Sequence, residues 1–172
     1  MAAADICLSL RAICSGDSLS SLRIIMCIWS LSVYTADEQR VLFPETFGCC
    51  RFVYNWALNL KITAYKERKE TLGNVYLTNL MKSEPKAEHE WLSEISSQSL
   101  QSALRNPDTA YTDFFRNTHA VGFPRFKSRK DRQSFLCPQH WRVDFSKSTI
   151  TIPKAKDIPA VPRIKSGLNL DK

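Results

Sequence analysis

The chain has 172 residues, 44% of them hydrophobic and 24% charged, a composition typical of an ordinary globular protein. This length is enough for one core, so we expect one domain or one domain with a tail. The net charge of +7 is concentrated in residues 116–172, where thirteen basic and four acidic side chains give +9. Such an asymmetry favours a polyanionic partner, and nucleic acid before a membrane.

Residues 1–33 contain the apolar run Ile24–Trp29, which is too short to span a bilayer. The start of the chain lacks the basic residues and the cleavage site of a secretory signal. We therefore expect residues 1–33 to be an atypical amino-terminal extension or a first strand, and we expect no membrane partner.

The six cysteines do not have the spacing of a metal site. Cys49 and Cys50 are adjacent, and Cys137-x-x-His140 is half of a zinc site without a second half at the required distance. We expect reduced thiols, no metal and no cofactor, as in a cytoplasmic protein.

Residues 34–121 show helical patterns. A capping box at Thr35 and Glu38 predicts a helix start. Pro44 predicts a break or a kink, because an interior proline removes a backbone hydrogen bond and clashes with the preceding turn. Gly48 then separates this helix from a second one over Cys49–Lys66, and two helices about one glycine resemble a helix-turn-helix.

Two further helices are predicted in this region, a short one over Val75–Lys82 and a long one that starts near Ser97. The apolar face of the long helix is formed by Leu100, Leu104, Tyr111 and Phe114, widened by Ala103, Ala110 and Phe115. Pro107 stands where this pattern requires an apolar residue that faces the core, so we expect it to remove both a backbone hydrogen bond and a packing side chain.

In residues 122–158 the hydrophobic pattern changes from the helical spacing to the alternation of a strand. We expect these residues to form a basic joint followed by strands. Ser134–Cys137 predicts one strand, and the alternation over Trp141–Phe145 and Thr149–Ile152 predicts a hairpin with its turn at 146–148. Prolines and polar residues predict a frayed tail over 159–172.

The basic stretch, Gly122–Arg132, contains five Lys or Arg, one Asp and two aromatic residues. Cations neutralise phosphates and aromatic rings stack on bases, although such a run is also typical of a solvated loop. Phe126 is either a stacking residue or a core anchor beneath the loop. The candidate phosphate contacts are Arg125, Lys127, Arg129, Lys130, Arg132 and Arg142.

Two blocks of the sequence resemble a known family. Residues 46–58, Thr-Phe-Gly-Cys-Cys-Arg-Phe-Val-Tyr-Asn-Trp-Ala-Leu, resemble the helix that opens TnpB-type proteins, also called OrfB, of bacterial insertion sequences. The pattern over Ser97–Phe115, followed by Gly-Phe-Pro-Arg-Phe-Lys-Ser at 122–128, resembles the second block of that family. The resemblance covers about residues 34–158.

TnpB-type proteins are transposon-encoded, RNA-guided DNA endonucleases. The resemblance implies an α+β fold in which a helical, helix-turn-helix-like recognition region (34–121) precedes short antiparallel strands of a partial wedge-like β-barrel (122–158). It also implies binding to the guide RNA and DNA of the parent element, with no small-molecule substrate. In this context Arg51 and Asn55, one helical turn apart, are favoured as polar nucleic-acid contacts.

The sequence also departs from the family. Residues 1–33 lack the basic first strand, and the carboxyl-terminal nuclease domain has no counterpart, so we expect a truncated chain without enzymatic activity. Asp108 and Asp113 are too far around their helix to hold a metal pair. The function predicted is a nucleic-acid-binding fragment of a transposase. The alternatives are a folding-impaired remnant of a decayed insertion sequence, or a module that modulates a full-length relative.

Overall fold

The computed structural model describes residues 10–14, 22–25, 29–33, 37–116 and 120–164. These residues form an α+β fold, as predicted, in which helices are followed by antiparallel strands. The chain divides into two units. The helical unit is Pro44–Asp131, and the sheet unit combines the residues up to Phe43 with those from Arg132 onward.

The sheet unit contains seven strands among the described residues. They are β1 (Leu10–Cys14), β2 (Leu22–Ile25), β3 (Trp29–Val33), β4 (Gln133–Cys137), β5 (Arg142–Asp144), β6 (Thr149–Ile152) and β7 (Ala155–Ile164). Their order in the sheet is β4-β1-β2-β3-β7-β6-β5, and every neighbouring pair is antiparallel.

The second half of this sheet follows the predicted alternation. β4 buries Phe135 and Cys137, and β6 buries Ile150 and Ile152, so every second side chain enters the core. The hairpin of β5 and β6 pairs Arg142 with Thr151 across the two strands. This hairpin and the strand β4 confirm the sequence-based predictions.

The amino-terminal region contains more strands than the sequence predicted. Where we expected an extension or a single strand, the chain forms β1, β2 and β3, and β1 pairs with β4 from Leu10 opposite Cys137 to Cys14 opposite Gln133. β7 continues to Ile164, beyond the end that we expected for the strands at residue 158, because it pairs with β3. The predicted capping box at Thr35 and residues 165–172 lie outside the described part of the chain.

In the described part of the chain, five helices lie between β3 and β4. They are α1 (Asp37–Arg68), α2 (Asn74–Ser83), α3 (Pro85–Glu88), α4 (Trp91–Glu94) and α5 (Ser97–Arg116).

α1 runs through both Pro44 and Gly48, so the helix does not break at Pro44, and the turn predicted at Gly48 is wrong. The apolar face of α1 continues on both sides of the proline, and Phe43 and Phe47 are 1% and 4% exposed. Burial of large apolar side chains stabilises by about 1.5–3 kcal/mol each, which offsets the roughly 3 kcal/mol cost of an interior proline. α1 is therefore one helix of 32 residues.

Pro107 does not interrupt α5 either, for the same reason. α5 is continuous from Ser97 to Arg116, and Pro107 is buried on the face that also buries Leu100 and Leu104. The prediction that position 107 faces the core is confirmed. Packing of this face compensates for the hydrogen bond that the proline nitrogen does not donate.

The helical unit is tied together by polar contacts as well as by apolar packing. Lys61 of α1 is 6% exposed, and its ammonium group lies 2.5 Å from the Asp108 carboxylate of α5 and donates to the Leu72 carbonyl. The Cys50 thiol of α1 donates to the Ser99 carbonyl of α5 at 3.7 Å. α1, α5 and the link before α2 are thereby held in register.

Candidate nucleic-acid interface

The basic stretch begins after α5 and crosses the boundary between the two units. Its residues 122–131 belong to the helical unit, whereas Arg132 belongs to the sheet unit. Pro124 is buried, while Arg125 and Phe126 on its far side are exposed. Pro124 therefore anchors the stretch in the protein, and the two residues that follow it are exposed to solvent.

Asn55 of α1 fixes the backbone of the stretch at Lys127. Its amide nitrogen donates to the Lys127 carbonyl at 2.9 Å, and its amide oxygen accepts from the Lys127 N–H at 2.8 Å. This pair reproduces the two hydrogen bonds of a neighbouring strand, so a single side chain satisfies both backbone groups of Lys127. Asn55 thus holds the basic stretch in place.

The side chain of Lys127 is also anchored on α1. Its ammonium nitrogen lies 4.3 Å from the centre of the Tyr54 ring, a cation–π distance. Tyr54 is 5% exposed, and burial raises the pKa of its hydroxyl. Tyr54 is therefore a packing residue of α1 that also supports the Lys127 side chain.

A tight turn follows at residues 128–131. The Ser128 N–H donates to the Asp131 carboxylate at 2.6 Å, and the Asp131 N–H donates to the Ser128 carbonyl at 3.2 Å. The Lys130 N–H donates to the Ser128 hydroxyl at 3.1 Å. These bonds place Arg129 and Lys130 at the two central positions of the turn, where both side chains are exposed.

The predicted contact residues are distributed over both units. Arg125, Phe126, Arg129 and Lys130 are exposed in the helical unit, with 54% of the Phe126 surface accessible. The exposure of Phe126 argues against its alternative role as a core anchor. In the sheet unit, Arg132 precedes β4 and Arg142 begins β5, and both are exposed.

Arg51 occupies a different surface of α1. It is half-buried and lines a cavity of about 420 Å³ between α1 and α4. The other lining residues are Glu45, Gly48, Cys49, Phe52, Trp91, Glu94 and Ile95. Arg51 therefore shares this cavity with the carboxylates of Glu45 and Glu94.

Sequence reasoning missed an aromatic cluster at the end of α5. We assigned Phe115 to the core-facing side of the helix, yet 70% of its surface is exposed. Phe123 of the basic stretch lies 5.6 Å from both Tyr111 and Phe114, measured between ring centres, and both pairs are edge-to-face. The signal available in the sequence was the aromatic density of residues 111–126 next to the basic residues.

Cys49, Cys50 and Cys137 are free and buried. Burial raises the pKa of the Cys50 thiol to about 12 and that of Cys49 and Cys137 to about 11. The described part of the chain contains no group of three or more His, Cys, Asp or Glu side chains able to hold a metal ion. Among the described helices, none has the length and apolar character needed to cross a membrane.

The structure defines an α+β protein whose helical unit presents a fixed, cationic stretch beside exposed aromatic rings. Comparison with known proteins identifies the family of this chain. The family model HTH_OrfB_IS605, a helix-turn-helix domain, matches residues 32–70, which form β3 in part and α1.

Three relatives align with more of the chain. The candidate RNA-guided DNA endonuclease InsQ of Escherichia coli (strain K12) is 36% identical over 113 residues, covering 62% of this chain and 26% of InsQ. A candidate RNA-guided DNA endonuclease of Streptomyces pristinaespiralis is 41% identical over 101 residues, covering 56% of this chain and 24% of the relative. The virulence protein VsdF of Salmonella dublin is 30% identical over 105 residues, which cover 56% of this chain and 88% of VsdF.

The chain belongs to the TnpB/OrfB-type family of insertion-sequence transposases. It spans about a quarter of the length of the two endonuclease relatives. The family resemblance stated from the sequence blocks is thereby confirmed.

Proposed function

We propose that the helical unit binds the nucleic acid of its parent element through the exposed cations of the basic stretch. The observation that carries this proposal is the fixed backbone of residues 127–131, held by Asn55 and by the Ser128–Asp131 turn. Cations on a pre-organised backbone lose less conformational entropy when they meet phosphates than cations on a free loop.

Charge and exposure support the proposal. Arg125 and Lys130 are exposed to solvent, and they lie in the part of the chain with a net charge of +9. Arg129 is exposed beside Lys130 in the same turn. Neutralisation of phosphates by such groups releases counterions, which makes the affinity strongly dependent on salt.

The relatives suggest which nucleic acids are bound. InsQ and the Streptomyces protein have names that describe RNA-guided cleavage of DNA, so guide RNA and DNA are the proposed partners of this chain. The proposal covers binding and not cleavage, because the endonuclease names belong to proteins of which this chain spans about a quarter.

Fluorescence anisotropy with a labelled RNA hairpin and a labelled DNA duplex tests the proposal. Over about 50–200 mM salt we expect the logarithm of the affinity for the duplex to fall linearly with the logarithm of the salt concentration, with a slope of about −2.7 to −4.5 for three to five phosphate contacts. Arg125→Gln and Lys130→Gln should each weaken binding and reduce the size of the slope by about one.

Lys82→Gln is the matched control, because Lys82 is an exposed cation of α2 outside the basic stretch. It should leave the affinity and the slope unchanged. An affinity that ignores salt, or a double variant Arg125→Gln/Lys130→Gln that binds as well as the natural protein, overturns the proposal.

A further inference from the structure

We infer that the aromatic rings at the end of α5 form a stacking platform for unpaired nucleotides. We define this aromatic platform as Tyr111, Phe114, Phe115 and Phe123. The inference rests on the proposed nucleic-acid binding and adds to it the class of nucleic acid that the helical unit prefers, namely strands with unstacked bases.

The four rings form one continuous cluster. Phe114 and Phe115 are 5.2 Å apart between ring centres, and Phe115 stacks on Tyr111 at 6.4 Å with an angle of 20° between the planes. Phe123 meets Tyr111 and Phe114 edge-on at 5.6 Å. Edge-to-face and stacked contacts at these distances are favourable, so each ring holds its neighbours in a defined orientation.

Two of these rings are also largely open to solvent. Phe115 is 70% and Phe123 is 52% exposed, whereas Pro124, the next residue after Phe123, is buried. Exposed aromatic rings that adjoin one another mark an interaction surface. The platform is therefore rigid on its protein side and accessible on the other side.

The positive charges beside the aromatic platform favour nucleic acid as its ligand. Arg116 follows Phe115, Arg125 follows Phe123 by two residues, and both side chains are exposed. Phe126, 54% exposed, continues the alternation of rings and cations along the chain. An alternation of ring faces and cations suits a polymer that alternates bases and phosphates, since bases stack on rings and phosphates pair with cations.

The platform is expected to distinguish unpaired from paired nucleotides. Inside a duplex both faces of each base are already covered by its neighbours, so a protein ring finds no free face. Loops, bulges and ends of RNA expose such faces, and aromatic side chains bind them there.

The test compares three probes of equal length with the same label: an oligothymidylate, the same backbone built from abasic sites, and a duplex. The first two carry the same phosphates and differ only in their bases. The natural protein should bind the oligothymidylate at least fivefold more tightly than the abasic strand. Phe115→Ala and Phe123→Ala should each weaken binding of the oligothymidylate by about 5- to 100-fold, the effect of one lost stacking contact.

Binding of the abasic strand and of the duplex should change less than about twofold in these variants, and the salt dependence should stay the same, because no phosphate contact is removed. Phe115→Trp should retain the preference for bases. Phe145→Ala is the matched control, since Phe145 is a phenylalanine that is 60% exposed in the hairpin of the sheet unit. Circular dichroism of each variant establishes that the fold is intact.

The outcomes separate this inference from the proposed function. If the natural protein binds no probe, the proposed function fails. If it binds with a steep salt dependence but holds the abasic strand as tightly as the oligothymidylate, only the platform fails. The platform also fails if Phe115→Ala and Phe123→Ala leave every affinity unchanged, which would assign these rings to a protein surface instead.

Discussion

The side-chain amide of Asn55 forms two hydrogen bonds with the backbone of Lys127, 72 residues further along the chain. The same lysine lies over the ring of Tyr54, the residue before Asn55. Two adjacent residues of α1 thus hold the backbone and the side chain of one residue in the basic stretch.

Asn55→Ala should release the basic stretch from α1. It removes the two hydrogen bonds between the Asn55 amide and the partly buried backbone of Lys127, which costs about 1–3 kcal/mol of unfolding free energy. Hydrogen exchange at the Lys127 amide should accelerate, and nucleic-acid affinity should fall with an unchanged salt slope, because no cation is lost.

Asn59→Ala on the same helix is the control for this substitution, since Asn59 is exposed. It should alter neither the exchange rate at Lys127 nor the affinity. Equal effects of the two substitutions would contradict the anchoring role of Asn55.

Lys61→Met should destabilise the helical unit. The substitution removes the partner of Asp108 and a donor to the Leu72 carbonyl, and the lysine is 6% exposed whereas the carboxylate is 35% exposed. Because Asp108 remains partly solvated, we expect a loss of about 1–3 kcal/mol, less than for a fully buried pair.

A double-mutant cycle with Asp108→Asn, measured by urea denaturation, should show coupling between the two residues. Arg68→Met provides the comparison, because Arg68 and Glu70 form an exposed pair with 56% and 59% of their side chains accessible. Its denaturation midpoint should not shift measurably. Additive effects at Lys61 and Asp108 would argue against the ion pair.

Pro107→Ala should stabilise the protein. Alanine restores an N–H that can donate to the Ala103 carbonyl one turn earlier, while the loss of ring atoms leaves a small void in the buried face. We expect a net gain of about 1–2 kcal/mol, equivalent to roughly 2–8 °C in melting temperature for a chain of this size.

Pro85→Ala is the control, because Pro85 is buried as well but stands in the first turn of α3. Proline is favourable there, since that N–H has no partner in the helix. This substitution should leave stability unchanged or lower it. A destabilised Pro107→Ala protein would mean that the packing of the proline ring outweighs the backbone bond.

Stability should fall at alkaline pH partly because of Cys50. Burial raises the pKa of this thiol from its ordinary value of 9.0 to about 12. The unfolded chain loses the proton first, so the contribution is complete below pH 9 and is lost as the pH rises towards 12. Within this window the slope approaches about 1.4 kcal/mol per pH unit.

Urea denaturation of the natural protein and of Cys50→Ala measures this contribution. Between pH 7 and pH 8 the two stability curves should run parallel, and above pH 9 the curve of the natural protein should fall more steeply. Parallel curves up to pH 11 would show that the thiol is ionised as easily in the folded as in the unfolded protein.

Local patterns predicted the fold where one element suffices to identify its structure. The alternation at Ile150 and Ile152 predicted β6, and the face of Leu100 and Leu104 predicted α5. Neither Pro44 nor Pro107 ends its helix, because the cost of a proline is local whereas the burial that offsets it comes from the tertiary structure.

The amino-terminal strands escaped prediction because they depend on distant partners. β3 contains a clear alternation of Trp29, Leu31 and Val33 with serines, but it has only five residues. Its pairing with β7 links residues more than a hundred positions apart, which no local pattern reports.

The sequence showed where the positive charges of the candidate site lie, but not which residues hold its backbone in place. Arg125 and Lys130 are exposed, as an interface requires. The contact of the Asn55 amide with the backbone of Lys127 was not predicted, because it depends on the fold of the whole helical unit. The exposure of Phe115 likewise depends on where α5 ends.

The order of the strands also affects how the protein folds during its synthesis on the ribosome. The helical unit is one uninterrupted segment, Pro44–Asp131, whereas β1 must wait for β4 and β3 must wait for β7. Contacts between residues so distant in sequence form slowly, and unpaired strand edges are sites of wrong association in the meantime. We therefore expect amide protection to appear in α1 and α5 before it appears in β1, with the sheet completed only after Ile164 has been synthesised.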